Sequence, residues 1–143
     1  MESTGLHWLA QAAPDPESFR EQWERIGLGL MLLPAGRRWD VLSVPGQLGR
    51  RALEILDTGL CGPVLTDFGE EHLGFLVPVG TAARWVGTGV RSAGEGTWIA
   101  VPHPERSSRG LRWLVPPDGS GRLTDPVLLE LGLHEAAAGL GGW

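Results

Sequence analysis

Residues 63–77 read PVLTDFGEEHLGFLV, and this stretch decides the type of sheet. Two apolar segments, 63–67 and 73–77, flank a turn at 68–71 that contains a glycine and two acids. Strand-forming residues on both sides of a short polar turn are typical of a β-hairpin. The sequence therefore predicts a pair of antiparallel strands near the middle of the chain.

The segments on either side of this hairpin predict helices and further strands. Asp15 and Asp125 each precede a proline and an apolar pattern with helical spacing, which is the signature of a capped helix start. Helices are expected over 4–12, 16–26, 47–56 and 125–140, with a short helical turn at 81–86. Strands are expected over 28–34, 39–44, 97–101 and 111–115. This order predicts an α+β fold, with helices packed on a mostly antiparallel sheet.

Length and composition limit the class of protein. A chain of 143 residues fits one domain, 1–143, with an N-terminal helix within 1–13 and a C-terminal helix at 125–140. The single cysteine, Cys61, excludes an internal disulfide and a cysteine-rich zinc site. We expect no membrane segment, because no apolar run approaches the ~20 residues of a span. The start has no basic segment typical of a secretory signal, so a cytoplasmic location is expected.

All twelve basic residues are arginine, and the chain contains no lysine, asparagine or tyrosine. The missing residues have AT-rich codons, which indicates a high-GC bacterial genome. A lysine Schiff base, a P-loop lysine and a tyrosine nucleophile are all excluded. Phosphate binding would have to use arginine, histidine or backbone N–H groups.

Familiar local motifs are missing. The glycine loops GxGxxG and GxxxxGK[ST] do not occur. No two of the four histidines stand three to five residues apart, so a zinc-binding pair on one helix face is excluded. We therefore predict no catalytic residue, no metal ligand and no cofactor. These spacings do not exclude a Ser-His-Asp catalytic triad, because its members need not be close in sequence.

Seven tryptophans divide into two groups. Four lie within apolar helix or strand patterns and are expected in the core: Trp23, Trp39, Trp98 and Trp113. The other three are candidate contacts with a protein partner: Trp8, Trp85 and Trp143.

The charge is unevenly distributed. The net charge is −5, which argues against a general nucleic-acid binder, yet residues 84–122 carry six arginines against three acids. Such a basic middle could receive phosphates, and the simpler interpretation is a mixed, solvated surface.

An ordered series of motifs carries a resemblance to a known family. The series is DPESFREQWER at 15–25, WDVLSVP at 39–45, TDFGEEHLGF at 66–75, GVR at 89–91, GEGTWIAVP at 94–102 and LRWL at 111–114. It resembles the N-terminal domain of bifunctional DNA primase/polymerases, the prim-pol branch of the archaeo-eukaryotic primases. The resemblance covers about residues 14–116 and implies a primase/polymerase-like, RRM-like core.

The departures from this family concern its metal-binding acids. In this chain Ser43 and Pro45 stand at the two aspartate positions of the family's D-x-D motif, and Gly89 stands at the position of the family's third acid. Asp40 precedes Ser43 by three residues, so on a strand it faces the opposite side of the sheet. Because a hydroxyl, an imino acid and a glycine cannot hold two magnesium ions, we expect no primase or polymerase activity.

Family positions on the phosphate side of the sheet correspond to His72 and Arg91, with Arg112 a weaker third candidate. These residues could bind a nucleotide or a phosphate without metal. The structural alternative is that His72 is a surface hairpin residue and that Arg91 pairs with Glu70 or Glu95. His103, between two prolines, is expected to be exposed.

Three hypotheses follow. The first is a catalytically inactive prim-pol-like domain that binds a nucleotide or a protein partner. The second is an enzyme of other chemistry, with His72 as acid or base and Arg91 as anion clamp. The third is a nucleic-acid-binding module that uses the arginines of residues 84–122.

Overall fold

The computed structural model describes residues 4–26, 30–67, 69–85, 89–105 and 110–140. Its helices are α1 (Thr4–Ala10), α2 (Pro16–Ile26), α3 (Gly46–Leu56), α4 (Thr81–Arg84) and α5 (Pro126–Gly139), with a 3-10 turn at Thr58–Leu60. Its strands are β1 (Leu30–Pro34), β2 (Asp40–Pro45), β3 (Val64–Asp67), β4 (His72–Val77), β5 (Arg91–Ala93), β6 (Trp98–Pro102) and β7 (Leu111–Val115).

These strands form two antiparallel sheets. The larger sheet has five strands in the order β5-β2-β4-β3-β7, and β1 and β6 form a separate two-stranded ribbon. Every neighbouring pair is antiparallel, including the predicted hairpin of β3 and β4. The α+β fold with a mostly antiparallel sheet is therefore confirmed.

Helices cover both faces of the five-stranded sheet. On one face, α1, α2 and the ribbon form a first hydrophobic cluster around Trp23 and Trp39, which are fully buried. On the other face, α3 and α5 form a second cluster around Phe75. The central strands β2 and β4 have buried residues on both faces, which explains why their sequences are apolar almost without alternation.

Two predicted caps set the starts of the longer helices. Asp15 Oδ1 accepts a hydrogen bond from the backbone N–H of Ser18 at 3.2 Å, at the start of α2. Asp125 Oδ1 accepts from the N–H of Val127 at 2.8 Å, at the start of α5. Each side chain satisfies a backbone donor that the first helical turn leaves free, so both helices begin where the sequence predicts.

The structure corrects two expectations about buried residues. Trp98 is 55% exposed, because it lies on the outer face of the ribbon with Leu32, and its assignment to the core was wrong. His103 is only 4% exposed, against the expectation of an exposed loop residue. Its ring packs edge-on against Trp23, with centroids 5.2 Å apart.

Among the described residues, none of the helices combines the length and the apolar character needed to cross a lipid bilayer.

Candidate functional site

Strand register brings four residues of the resemblance onto one face of the five-stranded sheet. Ser43 of β2 lies opposite Gly74 of β4 and opposite Arg91 of β5. Pro45, two residues further along β2, lies opposite His72. Side chains of directly opposed residues, and of residues two apart on one strand, share a face. His72 and Arg91 therefore flank Ser43 and Pro45 on the same side.

The side chain of His72 is held by Asp67 across the hairpin. Its Nδ1 lies 3.3 Å from Asp67 Oδ2. Burial alone would raise the pKa of Asp67, but hydrogen bonds from the backbone and imidazole of His72 and from the backbone of Glu71 hold that pKa below its usual range. An ionised Asp67 fixes the ring so that Nε2 is directed away from the carboxylate.

The guanidinium of Arg91 is available on the same face. The side chain is exposed, and no carboxylate of the described residues forms an ion pair with it. Glu70, suggested as a partner by the sequence, is occupied by two other arginines. An exposed arginine without an acidic partner is a suitable anion ligand.

The acid positions of the resemblance offer no metal ligands on this face. Gly89 has a φ of +78°, a left-handed conformation that disfavours a carboxylate side chain. The carboxylate of Asp40 lies on the opposite face, as its register predicts. There its Oδ2 accepts backbone N–H groups of Gly80 and Ala82, each at 2.9 Å, and so caps α4.

Arg112 does not join His72 and Arg91. It lies opposite Thr66 on β7, which directs it to the other face of the sheet. There it forms an ion pair with Glu70. Arg50 of α3 binds the same carboxylate, with its Nη2 2.9 Å from Glu70 Oε2. Hydrogen bonds from Arg50 and then Arg112 lower the pKa of Glu70 to about 2.

Three of the described arginines of residues 84–122 lie apart rather than on one basic surface. Arg91 and Arg112 lie on β5 and β7, the two edges of the sheet, roughly 19 Å apart at the usual strand spacing. Arg122 donates to the carbonyl of Gly59 at 2.8 Å. Arg106 and Arg109 lie outside the described residues.

The tryptophans predicted as interface residues are not the most exposed ones. Trp8 packs against the first hydrophobic cluster and Trp85 against the second, and both are half-buried. Trp143 lies outside the described residues. The exposed Trp98 instead borders an apolar groove of about 660 Å³ between the start of α2 and the ribbon.

One potential metal-binding set was missed by the sequence reasoning. Asp67, Glu71 and His72 each place one ligand atom within 4.8 Å of the other two. The spacing rule for histidine pairs applies to a helix face, whereas this set lies on a hairpin. The signal that could have found it is D-x-x-x-E-H across the predicted turn.

Cys61 is a poor candidate for a nucleophile. The side chain is 3% exposed, and burial, with a smaller contribution from Asp57, raises the pKa of its thiol. A buried, protonated thiol is unreactive, so Cys61 takes no part in the candidate site.

The fold and the site thus define an α+β protein with a polar site at one end of an antiparallel sheet. Comparison with protein-family models gives no match, and comparisons with curated proteins and with solved structures give none either. The prim-pol resemblance therefore stays a hypothesis, carried by the motifs of the sequence.

Proposed function

We propose that the protein binds a phosphorylated ligand, with nucleotides as the expected class, and that it does not polymerise them. The observation that carries this proposal is the register of β5, β2 and β4, which sets His72 and Arg91 on one face. Both side chains are exposed, and between them lie only the short side chains of Ser43 and Pro45.

The spacing of the two residues favours a ligand with more than one phosphate oxygen to bind. They lie two strands apart, about 10 Å across the sheet. Arginine offers paired N–H donors to phosphate, and His72 with both ring nitrogens protonated can donate its Nε2–H to a second oxygen while Nδ1–H donates to Asp67. A di- or triphosphate chain could reach both, whereas two-metal polymerase chemistry would need carboxylates that Ser43, Pro45 and Gly89 do not supply.

A calorimetric titration with nucleoside and deoxynucleoside triphosphates in a chelator tests this proposal. We expect binding by the wild-type chain and a roughly 10- to 100-fold weaker affinity for Arg91→Ala, since a charge-assisted hydrogen bond is lost. Arg25→Ala removes an exposed arginine from α2 and is the matched control. Absence of binding by the wild type, or equal weakening in both variants, would contradict the proposal.

An enzyme of other chemistry is the second candidate, and the contact between Asp67 and His72 favours it. A carboxylate 3.3 Å from the imidazole is the arrangement that orients a general base. The reaction class would be phosphoester hydrolysis, with His72 activating water and Arg91 holding the phosphate. Release of inorganic phosphate from p-nitrophenyl phosphate should then be lost in His72→Ala, and equal release by that variant would exclude this role.

A further inference from the structure

The Asp67–Glu71–His72 set differs from an ordinary acidic patch because it combines an imidazole with two carboxylates. All three ligand atoms lie within 4.8 Å of one another, and His72 Nδ1 is 3.3 Å from Asp67 Oδ2. Two ligands of a tetrahedral ion with bonds of about 2.0–2.1 Å are separated by roughly 3.3–3.4 Å. The separation of His72 Nδ1 and Asp67 Oδ2 is that of a hydrogen bond, and it also equals the separation of adjacent positions around one metal ion.

The backbone of the hairpin holds Asp67 ready for this role. Its Oδ1 accepts the N–H of Glu71 at 2.7 Å and the N–H of His72 at 3.3 Å. Oδ2 is consequently fixed on the side of the imidazole, and no ordering of the carboxylate is needed when an ion binds. Such outer hydrogen bonds to a ligating carboxylate are typical of metal sites.

Glu70, the acid next to Glu71, takes no part in this set. Glu70 is bound to Arg50 and Arg112 on the opposite face of the sheet, so it does not add its charge to the set. The side chains of Asp67 and His72 remain partly exposed. An ion held by three protein ligands at an exposed site keeps open positions for water or for a ligand oxygen.

We propose that Asp67, Glu71 and His72 form an open site for a divalent transition metal, with Zn²⁺ the best match to one nitrogen and two oxygen ligands. Imidazole favours zinc over magnesium and calcium. His72 would bind through Nδ1, so that its proton lies on Nε2 and remains available as a donor. On the basis of the proposed function, the preferred ligand is a metal-bound di- or triphosphate: one of its oxygens fills an open position on the ion, and Arg91 binds an oxygen of another phosphate group.

Calorimetric titration of the chelator-treated full chain with ZnCl₂ alone tests the metal site. We expect one tight site in the wild type and at least a tenfold loss of affinity in Asp67→Asn and Glu71→Gln, because each loses an anionic ligand. Asp67→Asn also alters the acceptor that holds the turn, so its effect on zinc affinity has two causes. Among the described residues, no hydrogen bond to the Glu71 side chain is seen. Glu71→Gln is therefore the decisive variant. Glu17→Gln, an exposed acid on α2, is the control.

Zinc binding by Glu71→Gln as tight as that of the wild type would overturn the metal site, and so would the absence of zinc binding by the wild type. The metal titration contains no phosphate and the nucleotide titration contains no metal, so the two proposals fail separately. Arg91→Ala should bind zinc like the wild type. A tenfold loss of zinc affinity in that variant would contradict the assignment of Arg91 to the phosphate alone.

Discussion

At the scale of single residues, Gly46 connects the fold to the candidate site. It is the first residue of α3, and its N–H donates to the carbonyl of Glu71 at 2.7 Å. A Cβ at this position would lie 1.7 Å from the carbonyl oxygen of Glu70. Since both contacts are with the hairpin backbone, only glycine allows α3 to start this close to His72.

Gly46→Ala should therefore destabilise the protein by at least about 2 kcal/mol, because the clash can be relieved only by moving backbone. Gly139→Ala in α5 is the matched control, since no atom lies within 4 Å of its added Cβ. That variant should be neutral or more stable by about 0.5–1 kcal/mol. Urea unfolding measures both, and equal stability of the two variants would contradict the close contact.

The pattern of apolar residues predicted the burial of side chains well in elements whose two faces are both covered. It predicted burial poorly in elements that have one open face. Trp23 and Trp39 lie in the first cluster as expected. Trp98 lies on a ribbon whose outer face is open, and a local apolar pattern does not distinguish that face from a buried one. His103 is buried because Trp23 packs on it, and that contact joins residues far apart in sequence.

At the scale of elements, local signals predicted every α-helix and all but one of the strands in the described part of the chain. The caps at Asp15 and Asp125 and the turn between β3 and β4 involve neighbouring residues, so the sequence carries their signal directly. Strand β5 was missed because it has three residues and owes its conformation to pairing with β2. The meeting of His72 and Arg91 depends on that same pairing.

The cap of α5 gives a measurable effect. Asp125→Ala removes the acceptor for Val127 N–H and should cost about 1 kcal/mol. Glu130→Ala, an exposed change on the same helix, should stay within about 0.5 kcal/mol of the wild type. Thermal unfolding followed by circular dichroism compares the two, and an Asp125→Ala protein as stable as the Glu130→Ala protein would show that the cap is unimportant.

The hairpin is linked to two other elements through Glu70, and this link should depend on pH. Its pKa falls from an ordinary 4.5 to about 2, chiefly through Arg50 and then Arg112. A lowered carboxyl pKa contributes stability above 4.5, and that contribution is lost as pH falls toward 2. The melting temperature of the wild type should exceed that of Glu70→Gln at pH 7, and the difference should shrink between pH 4.5 and 2.

Measurements in a chelator keep this comparison free of metal binding at the neighbouring residues. Glu54→Gln is the control, because it removes an exposed pair with Arg51 at 3.1 Å, a type of pair that contributes little. A difference between the wild type and Glu70→Gln that is constant over this pH range would rule out the ionised Glu70 as its source.

At the scale of the whole molecule, the five-stranded sheet is the middle of three layers. The first cluster joins it to α1, α2 and the ribbon, and the second joins it to α3 and α5. The sequence predicted the α+β class, because helical and strand segments are distinct along the chain. The division of the strands into a sheet of five and a ribbon of two could not be predicted, since it rests on pairings such as β1 with β6.

The ribbon of β1 and β6 has a consequence for the order in which parts of the protein unfold. A two-stranded ribbon is marginally stable by itself. Here its inner residues Leu33 and Val101 are buried in the first cluster, and the indole N–H of Trp113 donates to the carbonyl of Pro102 at 2.7 Å. Loss of α2 from that cluster would uncover the ribbon, so the two should open as one cooperative unit.

Amide hydrogen exchange read by mass spectrometry should therefore give β1, β6 and α2 a common protection, below that of β2 and β4. These two central strands should exchange only when the whole molecule unfolds. Exchange of α2 long before the ribbon would mean that the two do not open together. The layer formed by α1, α2 and the ribbon would then unfold in separate steps rather than as a unit.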